Sequence, residues 1–76
     1  MIEIDDVCRA VGLVLGRRDP KADDRLEADL GAESIDVLNI VVTLEQKFGV
    51  AIDESAMANV STVRDLHSLV LNSPKR

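Results

Sequence analysis

The stretch Ser34-Ile35-Asp36-Val37-Leu38-Asn39-Ile40-Val41-Val42-Thr43-Leu44-Glu45-Gln46-Lys47-Phe48 decides how this chain folds. With Ser34 at zero on a wheel of about 100° per residue, Val37, Ile40, Val41, Leu44 and Phe48 fall between about 240° and 340°, a complete core-facing stripe. Gly49 follows at once, and glycine ends helices because it takes the left-handed conformation without steric penalty. The spacing therefore predicts a helix over 34–48. Three more apolar residues, Ile35, Leu38 and Val42, cluster separately between about 40° and 100°. A bundle core uses one face, so this second stripe either contacts a neighbouring turn or stays exposed as a docking patch.

Ahead of this helix, residues 16–33 lack periodicity and contain Pro20. The segment is dominated by Asp19, Asp23, Asp24, Glu27 and Asp29, with Leu26 and Leu30 as its only large apolar residues. It reads as a long loop pinned to the core by those two leucines, a length uncommon in compact domains unless the loop has a function. Before it, between Ile2 and Leu15, Ile4, Val7, Cys8, Val11, Val14 and Leu15 recur at helical spacing, and Gly16 supplies the stop. Beyond Gly49, Asp53 and Glu54 open a short helical turn through Ala56 and Met57. Ser61 or Thr62 then caps a last helix with Val63, Leu66, Leu69 and Val70 on one face, and Asn72, Ser73 and Pro74 end it. The expected fold is all-α: a small antiparallel bundle of three main helices plus one short helix, with a long loop between the first and second, forming one domain over 1–76.

Seventy-six residues allow one small domain and exclude a multidomain enzyme. Fourteen acids against nine lysines and arginines give a net charge of −5, which argues against nucleic-acid binding and favours basic partners. A DNA-binding helix would also need its basic residues gathered, whereas Arg17, Arg18 and Arg25 lie among acids. Hydrophobic residues make up 46% of the chain, enough for a folded core and too many for an acidic tail, yet Phe48 is the only aromatic. A core of small aliphatic pieces opens more readily than one locked by aromatics. Cys8 stands alone, so no internal disulfide forms and the chain reads as intracellular. With no basic leader and no run of roughly 18 apolar residues, the expectation is a soluble, cytoplasmic protein without a membrane span.

Side chains that carry chemistry are few. Cys8 falls in the first helix's apolar stripe, where a small buried hydrophobe is expected. His67 flanks the last helix's stripe as a boundary residue, with no second histidine to complete a metal site. A calcium loop starting at Asp19 would place Lys21 and Arg25 at ligand positions and Asp24 where glycine is required, which excludes an EF-hand. No nucleophile, base and acid can be assembled into a catalytic set, so the chain is expected not to be an enzyme. Serine at the start of a helix is ordinarily an N-cap, and Ser34 has that bland reading too.

The string Asp29-Leu30-Gly31-Ala32-Glu33-Ser34-Ile35-Asp36, followed by Leu38, Leu44-Glu45 and Phe48, resembles the acyl carrier proteins. Their attachment motif is an aspartate, a serine and a leucine at the start of the second helix, preceded by a leucine and a glycine. The resemblance extends over nearly the whole chain, including Ser61-Thr62-Val63 at the start of the last helix. It implies that Ser34 carries 4′-phosphopantetheine through a phosphodiester and that the distal thiol holds an acyl group as a thioester. It also implies a phosphopantetheinyl transferase and acyl-loading and acyl-transferring enzymes with basic docking patches as partners of a monomeric carrier. Ile35, Leu38 and Val42 would then supply apolar contact, and Glu33, Asp36 and Glu45 charge.

Departures from the family pattern mark this chain. Glu33 stands for the usual aspartate and Ile35 for the usual leucine, while Asn39, Gln46 and Lys47 occupy positions where acids are common. A thinner acidic face weakens electrostatic steering and points to a dedicated pathway. Fatty-acid, polyketide, lipid-modification and aminoacyl cargo all remain open, although Leu30-Gly31-Ala32-Glu33 looks more like the acyl type than the peptidyl type with paired glycines. The remaining alternative is a helical interaction or regulatory subunit of the same fold that is never modified.

Overall fold

The computed structural model describes residues 2–76. Its elements are α1 (Ile4–Leu15), α2 (Ser34–Phe48), a 3₁₀ helix (Glu54–Asn59) and α3 (Val63–Asn72), and the fold is all-α as expected. Each α-helix starts with the same device, an aspartate at the third helical position turned back onto the residue before the helix. Asp6 Oδ2 accepts the Glu3 N–H at 3.2 Å, Asp36 Oδ2 that of Glu33 at 2.9 Å, and Asp65 Oδ2 that of Thr62 at 3.0 Å. The arrangement also puts negative charge at the positive end of each helix dipole. Glu3 is extended, and α1 begins at Ile4, the first residue of the apolar stripe. Gly16 and Gly49 end α1 and α2 in the left-handed conformation.

Helix α1 packs against both α2 and α3. Val7, Ala10 and Val11 of α1 meet Ile40, Val41 and Leu44 of α2 and Val63, Leu66 and Val70 of α3 in one buried cluster. Val37 and Phe48, at the two ends of the predicted core stripe, are half-buried. Cys8 corrects its expectation: it is half-buried, at the edge of the α1 stripe, where it lines an open cleft with Asp19 and Pro20. Partial burial, followed by the charges of Asp5 and Asp24, pushes its thiol above the ordinary range, which disfavours the thiolate. His67 is a boundary residue, its Nε2 lying 2.9 Å from the Ile2 carbonyl oxygen.

The long loop is ordered by contacts that the sequence does not announce. Leu26 and Leu30 are buried as predicted, joined by Ala32. The loop also runs beside the start of α3, with Leu26 N–H donating to Ser61 O at 2.9 Å, Val63 N–H to Asp24 O at 3.1 Å and Arg64 N–H to Ala22 O at 2.8 Å. The Arg64 guanidinium adds an ion pair to Asp23 at 3.0 Å. At its origin the loop lies directly on α1. A Cβ at Gly12 would sit 2.8 Å from the Arg17 carbonyl oxygen and 3.1 Å from Pro20 Cδ, so the crossing requires glycine there. The chain end is fastened as well, by Ala51 N–H to Pro74 O and Arg76 N–H to Gly49 O, both 2.9 Å.

Candidate functional site

The backbone winds into α2 through a set of turns that fix where the helix begins. Leu30 N–H donates to Arg25 O at 3.0 Å, Gly31 N–H to Glu27 O at 3.1 Å and Ala32 N–H to Leu26 O at 2.8 Å. Gly31 has φ of 69°, a value that disfavours any side chain, and the buried Leu30 and Ala32 on either side anchor the turn in the core. Glu33 follows in extended conformation as the N-cap of α2.

Ser34 is therefore the first residue inside the helix and not its cap, which differs from the ordinary reading of a serine at a helix start. Its side chain is exposed, and among the described residues no hydrogen bond engages its hydroxyl. The first intrahelical bond runs from Val37 N–H to Glu33 O, which leaves the Ser34 and Ile35 N–H groups without helical partners. A phosphate esterified at this position fits: free N–H donors and the positive end of the dipole stand beside it, and nothing buries it.

The second stripe of α2 is exposed. Ile35, Leu38 and Val42 are 58%, 45% and 42% accessible, so the stripe stays open and is not covered by a neighbouring turn. Two of the acids are engaged within the fold. Asp36 is half-buried and holds the Glu33 N–H, and Glu45 is half-buried with Oε2 accepting the Ile52 N–H at 2.9 Å. Of the three acids read as charge for a partner, only Glu33 is exposed. The reason is local: an acid near a helix end finds backbone N–H groups before it finds a partner.

Beside the same end of α2 lies a cleft of about 470 Å³ between the loop, the helix and the 3₁₀ segment, lined by Leu26, Ala28, Val37, Met57 and Val60 with Arg25 and Glu27 at its polar side. Sequence reasoning missed Arg17. It follows α1 in a stretch without periodicity, yet its guanidinium donates to the Leu30 carbonyl at 3.3 Å, on the turn that leads into α2. Among the described residues no group of three or more histidine, cysteine, aspartate and glutamate side chains is placed to hold a metal, and no helix is long and apolar enough to cross a membrane.

The model of the phosphopantetheine attachment site family matches residues 5–70. An acyl carrier protein of Exiguobacterium sibiricum is 34% identical over 67 residues, covering 86% of this chain and 85% of that one. The chain belongs to the acyl carrier protein family. The acyl carrier protein of Campylobacter hominis is 36% identical over 55 residues, 72% of this chain and 70% of that one. The chloroplastic acyl carrier protein 2 of Hordeum vulgare is 44% identical over 43 residues, 57% of this chain and 33% of that longer one. Among solved structures, a chain described as an acyl carrier protein from Mycobacterium tuberculosis superposes with a TM-score of 0.83 at 26% identity, covering 90% of this chain and 93% of that one. The acetyl actinorhodin acyl carrier protein of Streptomyces coelicolor superposes at 0.72 with 29% identity, covering 91% and 86%. Membership implies covalently attached 4′-phosphopantetheine, whose thiol supplies the thioester chemistry when bound. Acyl carrier proteins are carriers and not catalysts, and membership implies encounters with a phosphopantetheinyl transferase and acyl-handling enzymes.

Proposed function

We propose that Ser34 is the attachment residue and that the protein shuttles acyl groups, as thioesters on the arm, between the enzymes of a dedicated lipid, polyketide or related pathway. The observation that carries this is the Ser34 hydroxyl itself, exposed at the first position of α2 and left free because Glu33 takes the capping position. The serine is ready to be esterified without loss of a structural contact. Ile35, Leu38 and Val42 form the apolar patch that a partner covers while it reaches the arm, with Glu33, Asp36 and Glu45 around it. The cleft beside Val37 and Met57 offers apolar surface for a short acyl chain. A dedicated partner set follows from the absence of acids at Asn39, Gln46 and Lys47, and from Asp36 and Glu45 already holding backbone N–H groups.

Intact-mass measurement tests the attachment. Incubation with coenzyme A, magnesium and a broad-specificity phosphopantetheinyl transferase should add one phosphopantetheine to the wild type and none to Ser34→Ala. Equal masses on a folded wild type, repeated with transferases from the source organism, would overturn it in favour of an unmodified interaction subunit. Poor acyl loading by fatty-acid synthase enzymes should accompany the modification, and efficient loading by them would remove the dedicated-pathway reading.

A further inference from the structure

We propose that Arg17 is a positioning residue for the arm: its guanidinium takes hold of the phosphodiester on Ser34 and sets the direction in which the arm leaves the bundle. This rests on Ser34 being the attachment point. Arg17 is held at its backbone from both sides. Its N–H donates to Gly12 O at 3.0 Å across the left-handed Gly16, and its carbonyl oxygen packs against Gly12 so closely that a Cβ there would lie 2.8 Å away. One terminal nitrogen of its side chain donates to Leu30 O at 3.3 Å, and the same nitrogen lies 3.8 Å from where a Cβ of Gly31 would stand. Leu30 precedes Ser34 by four positions, at most about 14 Å of extended chain, and the left-handed turn at Gly31 shortens the path.

The charges around it favour an anion. Arg9, Arg25 and Arg64 are paired with Asp6, Asp29 and Asp23, whereas among the described residues Arg17 forms no ion pair. Its one hydrogen bond is at the long end of the range and goes to a neutral carbonyl, so a charged phosphate oxygen is the stronger acceptor and the remaining N–H groups of the fork are available to it. The chain is acidic overall, and Glu27, Asp29, Glu33 and Asp36 lie near this end in sequence. Among the described residues Arg17 is the cation whose side chain bonds to the turn leading into α2, and no acid pairs with it. Exposed Arg18 is the matched comparison, adjacent in sequence and of equal charge, with no side-chain hydrogen bond to the Leu30–Gly31 turn among the described residues.

The test uses the full chain before and after modification, with the mass gain on Ser34 established first. In wild type, the Arg17 Nε–Hε resonance should shift on conversion from the unmodified to the modified protein while that of Arg18 stays in place. In the modified protein, R17Q should narrow the ³¹P line as the phosphate gains motion, R17K should narrow it less, and R18Q should leave it unchanged. A wild-type Arg17 resonance indifferent to modification, or a ³¹P line equal in wild type and R17Q, would overturn the assignment even with Ser34 modified. The wild-type comparison requires no variant, so it stands if R17Q fails to fold. Absence of the mass gain would instead remove the attachment reading on which the proposal rests.

Discussion

The Glu45 carboxylate accepts the Ile52 N–H at 2.9 Å, joining the last turn of α2 to the segment that leads into the 3₁₀ helix. Ile52 is buried, so its N–H has little access to water if that acceptor is lost. Glu45→Ala should therefore cost about 1–3 kcal/mol of unfolding free energy, the range for a buried donor left unsatisfied. Glu45→Gln keeps a carbonyl acceptor in place and should cost clearly less. Urea denaturation of the two variants checks this, and equal stabilities would show that the contact contributes nothing.

The exposed stripe should separate folding from docking. Leu38 and Val42 are more than 40% accessible, so Leu38→Ala and Val42→Ala should each change stability by no more than about 0.5 kcal/mol. If an enzyme covers that patch, each truncation should lower the kcat/KM of modification or acyl transfer by about tenfold, the ratio that corresponds to 1.4 kcal/mol of interface energy. Unchanged kinetics with both variants would place the contact on another face.

Acid should weaken the start of α3. The Asp65 carboxylate accepts the Ser61 and Thr62 N–H groups at 2.9 and 3.0 Å, which holds it below the ordinary carboxylate value. A carboxyl whose affinity for protons is lower in the folded state adds stability above its unfolded pKa and loses it as the pH falls through the folded value. Wild type should accordingly keep this contribution from neutral pH down to the ordinary carboxylate range, about pH 4, and lose it as the pH falls below that, and Asp65→Asn should be less stable at pH 7 yet flatter with pH. Denaturation curves across that range decide it, and parallel curves would mean that Asp65 is not a source of the acid response.

What was legible in the sequence follows from periodicity. Helices α1, α2 and α3 were readable because each buries one stripe, as were the glycine stops of α1 and α2, and Leu26 and Leu30 stood out as isolated apolar residues in an acidic loop. The exposed stripe was visible as surplus apolar surface on α2, although only packing could decide between a contact and an open face. Hydrogen bonds between distant segments leave no such trace. Nothing in the pattern tells that Asp24 and Ala22 pair with Val63 and Arg64, that Glu45 reaches Ile52, or that Arg17 reaches Leu30. Ser34 illustrates both sides: its motif was readable, but its release from capping depends on the backbone conformation of Glu33.

Gly12 offers the sharpest check of the loop's path, because the usual effect of its substitution has the opposite sign. Alanine in place of glycine within a helix ordinarily stabilises by roughly 0.5–1 kcal/mol, since it reduces the freedom of the unfolded chain. Here the added methyl would meet the Arg17 carbonyl at 2.8 Å and Pro20 Cδ at 3.1 Å, a backbone atom and a rigid ring that have no rotamer to retreat into. The loop must lift from α1, and Gly12→Ala should lose about 1–3 kcal/mol in place of the gain. Because the displaced carbonyl belongs to Arg17, the amide shifts should extend past residue 17 to Leu30 and Gly31, where the guanidinium is seated. A stabilised variant with shifts confined to α1 would mean that the loop lies farther from the helix than the structure places it, and that Arg17 is not held at the entrance to α2.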